Sequence, residues 1–299
     1  MNEEDRPNRL FEDLWIYQQR SSLSSCKGWI KEHRDFYSPQ LDNKRTILVY
    51  LPPSYFEDEK KRYPVLYLQD GNNVFDTGTA FAGVAWNIEY AIERLSAAKE
   101  IRECIAVGVF NTMGRMAEYT PSWDPRFQGG KAELYGDFLA NTVKIFIDGA
   151  YRTNPTPENT AIMGSSLGGL VSFWIGWHFP KVFSLVGAVS TSIWWDTRSI
   201  LRDIDSAPPG TQGLRIWLDV GTYEGADRDG DGVSDMVSDS RDLRDLLLER
   251  GFRLHKNLEY FEDPGAHHNE AAWRDRVERP LRFFFGLDGQ DLSNCSNDS

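Results

Sequence analysis

Two adjacent serines, Ser165 and Ser166, lie in a glycine cluster that could hold a nucleophile. The pattern G-x-S-x-G fits in one frame only, with Gly164 and Gly168 on either side of Ser166. The segment NTAIM before this cluster predicts a strand, and SLGGLVSFWIGW predicts a helix. A serine on such a sharp turn exposes its hydroxyl, and small residues two positions away let strand and helix pack closely. We therefore predict a nucleophilic Ser166, with the Leu167 N–H available to an oxyanion.

Two phosphate-binding patterns do not fit the same cluster. A P-loop requires a lysine after its second glycine, and a dinucleotide-binding loop requires the spacing G-x-G-x-x-G. Residues 159–177 contain neither feature. A purely structural turn between a strand and a helix remains the alternative, because a five-residue pattern is short.

A serine hydroxyl is a weak nucleophile at neutral pH, so this prediction requires a base and an acid elsewhere in the chain. In hydrolases built on this turn, the order along the chain is Ser, Asp or Glu, and His. Of the five histidines, His267 and His268 lie side by side in the segment DPGAHHNEAAW, after the last strand pattern. Either of these two could be the base.

Candidates for the acid follow the strand pattern LRIWLDVG. Asp219 lies within that pattern, where a carboxylate could simply bind neighbouring loop amides. Glu224 lies just beyond the end of the strand, from where a carboxylate could reach the histidine loop. Geometry favours Glu224, and Asp219 remains the alternative.

An acidic segment, DRDGDGVSD, follows closely and resembles the first half of an EF-hand loop. Oxygen ligands would come from positions 1, 3, 5, 7 and 9, with glycine at position 6. Position 12 is Ser238, where an EF-hand loop has a glutamate. We predict a structural Ca²⁺ here, and a solvated acidic turn is the alternative. The predicted ligands are Asp227, Asp229, Asp231, the Val233 carbonyl and Asp235.

Composition limits the partners. The chain has 299 residues, and 33 basic against 45 acidic residues give a net charge of −12, which argues against nucleic acid and anionic membranes as partners. No apolar run approaches the roughly 20 residues that span a bilayer. The N-terminus has no signal-peptide pattern. We therefore expect a cytoplasmic protein, or a secreted or periplasmic one if a leader has been removed. The sequence leaves the oligomeric state open.

Short apolar segments that predict strands alternate with helical patterns. The strands are expected at 45–52, 63–70, 105–110, 159–164, 183–190, 214–221 and 252–262, and the helices near 86–98, 134–149, 166–178, 237–251 and 270–285. This alternation predicts a single α/β domain with a mostly parallel central sheet and helices on both faces. Its boundaries are expected at 26–286, after a helical extension (1–25) and before a flexible tail (287–299). Catalytic groups are expected at the carboxyl ends of the strands.

Several segments together resemble the esterase D-type branch of the α/β-hydrolases, which includes feruloyl and acetyl-xylan esterases, enterochelin esterases and mycolyltransferases. They are RTILVYLPPSY, YPVLYLQDGNNVFD, RMAEYTPSW, MGSSLGG, VSTSIWWD, DVGTYE and GAHHNEAAW, and the similarity runs from about residue 28 to residue 285. The resemblance implies Ser166 as nucleophile and Glu224, after Gly-Thr-Tyr, as acid. It implies His268, five residues before Trp273, as base. It also implies that Asn72 supplies a second oxyanion N–H.

The resemblance further implies the hydrolysis of a carboxylic ester through an acyl-enzyme, with no cofactor for the chemistry. Arg115 and Glu118 are expected to form a pair that orders a loop. The implied partner is a small-molecule or carbohydrate ester, and the acyl group is left open among sugar acetates, feruloyl esters, siderophore lactones and short acyl thioesters. Transfer of the acyl group to an alcohol and a non-catalytic binding module are the alternatives. Six aromatic side chains are expected around the pocket, or alternatively in the core: Phe75, Trp86, Tyr119, Trp123, Trp194 and Trp195.

Overall fold

Nine strands form one sheet in the computed structural model, which describes residues 18–20, 26–208 and 210–287. They are β1 (Gln18–Arg20), β2 (Trp29–Ser38), β3 (Asn43–Leu51), β4 (Val65–Leu68), β5 (Ile105–Val109), β8 (Thr160–Ser165), β9 (Leu185–Val189), β10 (Arg215–Gly221) and β11 (Leu258–Asp263). A separate two-stranded hairpin pairs β6 (Trp123–Asp124) with β7 (Gln128–Gly129).

The strand order in the sheet is β1-β2-β3-β5-β4-β8-β9-β10-β11. The first three pairings, from β1 to β5, are antiparallel. The remaining five, from β5 to β11, are parallel. The predicted mostly parallel sheet is therefore confirmed, and one sheet spans the described part of the chain as a single domain.

Helices cover both faces of this sheet. They are α1 (Ile88–Ala97), α2 (Arg115–Glu118), α3 (Ala132–Phe138), α4 (Lys144–Ala150), α5 (Leu167–His178), α6 (Trp195–Ser206), α7 (Asp235–Glu249), α8 (Glu270–Arg276) and α9 (Glu278–Phe285). Val65 and Tyr67 of β4 lie in a buried cluster with α5, whereas Leu66 and Leu68 lie in a second cluster with α1 and α9. Alternate residues of a strand point to opposite faces, so each face of the sheet has its own core.

The structure differs from the sequence predictions in several places. Strand β2, the hairpin strands β6 and β7, and helices α2 and α6 were not predicted. The segment 252–257, predicted as strand, is largely turn, and β11 begins only at Leu258. Residues 18–20 of the predicted helical extension form a strand that pairs with β2, and the rest of that extension lies outside the described residues. The predicted tail lies outside them too, except for residue 287.

The carboxyl ends of four parallel strands position the candidate residues. Asn72 follows β4, Ser166 follows β8, Glu224 follows β10 and His268 follows β11. Because parallel strands end at the same edge of a sheet, these four loops meet on one side of the molecule. Among the described helices, none has the length and apolar character needed to cross a membrane.

Candidate active site

Ser166 lies at the turn between β8 and α5 with φ 58° and ψ −122°. A non-glycine residue seldom adopts a positive φ, and it persists only where the surroundings hold it. Two backbone hydrogen bonds do so here: the Ser166 N–H donates to the Val189 carbonyl at 3.0 Å, and the Ser192 N–H donates to the Ser166 carbonyl at 3.1 Å. The predicted strained turn is therefore present at Ser166.

Three predicted residues meet at this turn. His268 Nε2 lies 2.9 Å from Ser166 Oγ, and His268 Nδ1 lies 2.9 Å from Glu224 Oε2. The imidazole ring thus bridges the hydroxyl and the carboxylate. His267 points elsewhere, because it is exposed and its ring packs on Tyr223 with the centroids 5.6 Å apart.

The carboxylate of Glu224 is fully buried and well supplied with donors. Its Oε1 accepts hydrogen bonds from the Ser190 hydroxyl at 2.6 Å, the Gly221 N–H at 2.8 Å and Arg276 Nη2 at 3.2 Å. Burial raises the pKa of this carboxyl, but the hydrogen bonds from His268 and Ser190 outweigh burial and leave that pKa below its ordinary value. The group is therefore ionised at neutral pH.

The alternative acid, Asp219, has different neighbours. Its Oδ1 accepts from Arg276 Nε at 3.0 Å, and its Oδ2 accepts from Trp217 Nε1 at 2.6 Å. Burial raises the pKa of the Asp219 carboxyl above its ordinary value, although Arg276 opposes the shift. Of the two carboxylates, Glu224 is the one that contacts His268.

Four residues near Ser166, His268 and Glu224 were not singled out from the sequence as site residues. Ser190 and Trp273 contact each other, with Trp273 Nε1 donating to Ser190 Oγ at 2.9 Å. Arg276 reaches both carboxylates, and Ser192 Oγ lies 3.2 Å from Ser166 Oγ. The sequence alone does not single out Arg276, because it is one of four arginines in the segment 270–285.

The two predicted oxyanion donors lie in the loops after β4 and β8. Leu167 is the first residue of α5, and Asn72 lies in the short turn Gly71–Asn73. Among the described residues, no side chain or loop carbonyl accepts a hydrogen bond from either backbone N–H. Both groups are thus free to donate to a ligand.

A bidentate ion pair between Arg115 and Asp70 holds the loop that carries Asn72. Arg115 Nε and Nη2 donate to the two Asp70 carboxylate oxygens at 2.6 and 2.7 Å. The predicted pair of Arg115 with Glu118 is wrong, because Glu118 instead binds Arg45 in a buried ion pair at 3.0 Å. The two charged residues of α2 therefore have different partners. Arg115 binds Asp70 beside the candidate site, and Glu118 binds Arg45 of β3.

Most of the six aromatic side chains lie in the core, the alternative position predicted for them, rather than around a pocket. Four of the six side chains are at most 5% exposed and belong to the cores of the domain, which leaves them little surface for a substrate: Phe75, Trp86, Tyr119 and Trp195. Trp123 is exposed, and Trp194 is half-buried against Phe127, with the ring centroids 5.9 Å apart. Only these two of the six offer an aromatic surface at the loops.

The acidic loop brings together three of its predicted ligands. One carboxylate oxygen from each of Asp227, Asp229 and Asp231 lies within 4.8 Å of the other two, and all three residues are exposed. Asp235 instead begins α7 and pairs with Arg228 at 3.1 Å. The backbone N–H of Gly232 holds the pKa of Asp227 below its usual value. Three of the predicted ligands therefore lie close together, and Asp235 departs from the predicted ligand set.

Comparisons with known proteins identify the family of this chain. The family model described as "Putative esterase" matches residues 38–284. An uncharacterized protein of Bacillus subtilis, YbbA, is 27% identical over 272 residues, which are 89% of this chain and 100% of that protein. The iron(III) enterobactin esterase of Dickeya dadantii is 23% identical over 276 residues, 88% of this chain and 56% of that protein.

A solved structure shares the fold. The IroE-like serine hydrolase from Shewanella oneidensis superimposes with a TM-score of 0.67 at 23% identity, covering 87% of this chain and 82% of that one. The predicted α/β-hydrolase fold and the resemblance to the esterase D-type branch are both confirmed. Since the family model spans most of the sequence, the chain belongs to this esterase family and is a hydrolase of esters.

Proposed function

We propose that the protein is a serine esterase that hydrolyses a carboxylic ester through an acyl-enzyme. Ser166 is the nucleophile, His268 the general base and Glu224 the acid that orients it. The observation that carries this proposal is the continuous chain from Ser166 Oγ through His268 to Glu224, with both contacts at 2.9 Å. Such a chain is the arrangement that activates a serine hydroxyl on unrelated folds.

The proposed reaction has two halves. In the first, Ser166 Oγ attacks the ester carbonyl while His268 Nε2 takes its proton, and the ionised Glu224 stabilises the resulting imidazolium through Nδ1–H. His268 then passes that proton to the leaving alcohol, which departs and leaves an acyl group on Ser166. In the second half, His268 takes a proton from a water molecule that attacks the acyl-enzyme, and returns it to Ser166 as the carboxylic acid leaves.

We assign the developing negative charge on the carbonyl oxygen to the N–H groups of Leu167 and Asn72. Their freedom from loop carbonyls and side chains supports this role. One such donor is typically worth about 2.7–4 kcal/mol of transition-state stabilisation. Nucleophile, base, acid and oxyanion donors are all groups of the chain, so the proposed chemistry requires no cofactor, and a Ca²⁺ in the acidic loop would be structural.

The proposed partner is a small-molecule ester of siderophore, feruloyl or acylated-carbohydrate type. The enterobactin esterase among the relatives supports a siderophore-type ester as the first candidate. Trp194 follows Ser192, whose Oγ lies 3.2 Å from Ser166 Oγ, by two residues, and we propose that its half-buried ring contacts an acyl or alcohol group with a ring. Acyl transfer to an alcohol would use the same acyl-enzyme, and adding an alcohol and measuring how product divides between acid and new ester separates the two.

The test compares Ser166→Ala with Ser165→Ala. We expect wild type and Ser165→Ala to react with a fluorophosphonate probe and to hydrolyse p-nitrophenyl esters, and Ser166→Ala to do neither. A screen of catecholate, feruloyl and acetylated-glycan esters then identifies the substrate class. Labelling and turnover that persist in Ser166→Ala would overturn the assignment, and an inert wild type would favour a binding module.

A further inference from the structure

Arg276 is a buried arginine at the end of α8, eight residues after His268, and it serves two carboxylates at once. Its Nε and Nη2 donate to Asp219 Oδ1 at 3.0 and 2.9 Å. Nη2 also lies 3.2 Å from Glu224 Oε1. The helix that follows the candidate base therefore carries a cation to the candidate acid.

The Ser190 hydroxyl links this arginine to Glu224. Its oxygen accepts from Trp273 Nε1 at 2.9 Å and from Arg276 Nη2 at 2.5 Å. A hydroxyl has one proton, and Ser190 has its remaining contact with Glu224 Oε1 at 2.6 Å. Two donors to the oxygen thus direct the hydroxyl proton to the carboxylate. This makes Ser190 a fixed donor to Oε1.

The donors around Glu224 are divided unequally between its two oxygens. Oε1 receives Ser190, the Gly221 N–H and Arg276, whereas Oε2 receives His268. Rotation of the carboxylate about its last bond would break the three contacts to Oε1. The cluster therefore fixes the orientation of the carboxylate, so that one of its oxygens faces the imidazole.

The two buried carboxylates of this cluster depend on Arg276 for a compensating positive charge. Asp219 and Glu224 are both fully buried, and two buried anions that share one space repel each other strongly. Arg276 contacts both, and Asp263 of β11 lies 3.6 Å from its Nη1. Removing the arginine would leave two buried carboxylates with no cation between them, which is the costly state for a buried ion pair.

We propose that Arg276, with Asp219 as its counter-ion and Ser190 as its link, is a positioning residue that fixes the orientation of the Glu224 carboxylate, with one oxygen toward His268. This rests on the proposed function, because Arg276 acts only through the acid of the proposed triad. The competing account is an ion pair that stabilises the fold and has no bearing on turnover.

The first experiment measures kcat and KM for p-nitrophenyl ester hydrolysis in Arg276→Gln, Arg276→Lys and Arg276→Gln with Asp219→Asn. A displacement of about 1 Å in a catalytic group can cost about 10²-fold, so we expect kcat of Arg276→Gln to fall by about that factor with KM little changed. Arg276→Lys keeps the positive charge but loses the bidentate hydrogen bonding of the guanidinium. Its kcat should therefore lie between those of wild type and Arg276→Gln. Adding Asp219→Asn removes the second buried anion and should restore part of kcat.

The matched control is Arg279→Gln. Arg279 is an exposed arginine three residues after Arg276, and this variant should have the kcat and KM of wild type.

The second experiment is a double-mutant cycle with Glu224→Gln. If Arg276 acts through Glu224, Arg276→Gln should cost much less in the Glu224→Gln background than in wild type. An equal loss in both backgrounds, or a wild-type kcat in Arg276→Gln, would overturn the proposal. If Arg276→Gln does not fold, Ser190→Ala enters the same cycle, because it removes a donor to Oε1 and keeps the ion pair.

The outcomes also separate this inference from the proposed function. Full activity in Ser166→Ala and Glu224→Gln would overturn the triad itself. Inactive Ser166→Ala and Glu224→Gln beside a fully active Arg276→Gln would overturn only the role of Arg276.

Discussion

Gly164 and Gly168 approach each other so closely that a Cβ on Gly164 would lie 2.6 Å from the Gly168 carbonyl oxygen. A Cβ on Gly168 would in turn lie 3.1 Å from the Gln69 side chain and 3.2 Å from Asp70 Oδ2. The two glycines therefore let β8, α5 and the loop after β4 pack around Ser166. This close packing places the candidate nucleophile beside the loop that carries Asn72.

We expect Gly164→Ala to lower both stability and turnover, because its Cβ would meet backbone that cannot move aside. Overpacking of this kind typically costs about 1–3 kcal/mol. Thermal unfolding and p-nitrophenyl ester hydrolysis measure the two effects. Gly149→Ala is the control, since a Cβ there meets nothing within 4 Å in an exposed part of α4, and it should be neutral or stabilise by up to about 1 kcal/mol. Wild-type activity in Gly164→Ala would contradict the packing argument.

The two neighbouring histidines should differ sharply in their effect on kcat/KM. His268→Ala removes the group that bridges Ser166 and Glu224, and loss of a general base typically costs about 10²–10⁴-fold. His267→Ala removes an exposed ring that packs on Tyr223, so we expect kcat/KM near that of wild type. Steady-state kinetics on one ester is sufficient. A larger loss of kcat/KM in His267→Ala than in His268→Ala would mean that His267 is the general base.

The sequence was sufficient to predict the site residues whose order along the chain is typical of this fold. Ser166, Glu224 and His268 could be chosen because a glycine frame, a strand end and a histidine loop each limit the candidates. Arg276 and Ser190 could not be chosen in this way, because their role depends on how α8 packs across the ends of β9 and β10. That packing is a long-range contact with no local sequence pattern.

The same limit explains the errors in the fold. Strand β2 carries several charged residues and pairs antiparallel in the outer part of the sheet, so it lacks the continuous apolar pattern of a buried strand. The burial of Phe75 and Tyr119 also could not be predicted, because an aromatic residue in a loop near a strand end can face the core or the solvent with equal chemical reason. Tyr119, for example, turns inward and accepts a hydrogen bond from the Asp70 N–H at 3.1 Å.

Glu224 should make folding stability depend on pH. Its pKa in the folded protein lies below the ordinary value of 4.5, so the folded state binds its proton less readily than the unfolded state does. The stability that this ionised carboxylate contributes is therefore present above pH 4.5 and is lost as pH falls through the lower folded-state pKa. Urea unfolding of wild type and Glu224→Gln from pH 7 to pH 3 (about the range in which a carboxyl titrates) should show wild type losing stability relative to the variant. A stability difference between wild type and Glu224→Gln that does not change with pH would contradict the lowered pKa of Glu224.

The acidic loop gives a prediction about metal. Asp227 already accepts the N–H groups of Gly230 and Gly232 at 2.8 and 2.9 Å, so backbone donors offset part of the repulsion among the carboxylates. A Ca²⁺ bound to Asp227, Asp229 and Asp231 would offset more of it and would stabilise the folded state by about 2.7 kcal/mol at a hundredfold excess over Kd. We therefore expect EDTA to lower Tm and Ca²⁺ to restore it. Mg²⁺ should restore it poorly, because that ion requires a tight octahedral shell and retains its waters.

The effect of this metal on kcat should be small. Only residues 225 and 226 separate Glu224 from Asp227, yet four donors already hold the Glu224 carboxylate independently of the loop. Ca²⁺ should thus act on the stability of residues 225–239 far more than on the orientation of the acid. Asp229→Asn with Asp231→Asn is the matched variant, and its Tm should be low and insensitive to EDTA, with kcat close to that of wild type. An unchanged Tm of wild type after exhaustive chelation would mean that the backbone N–H groups alone close the loop, as a solvated acidic turn.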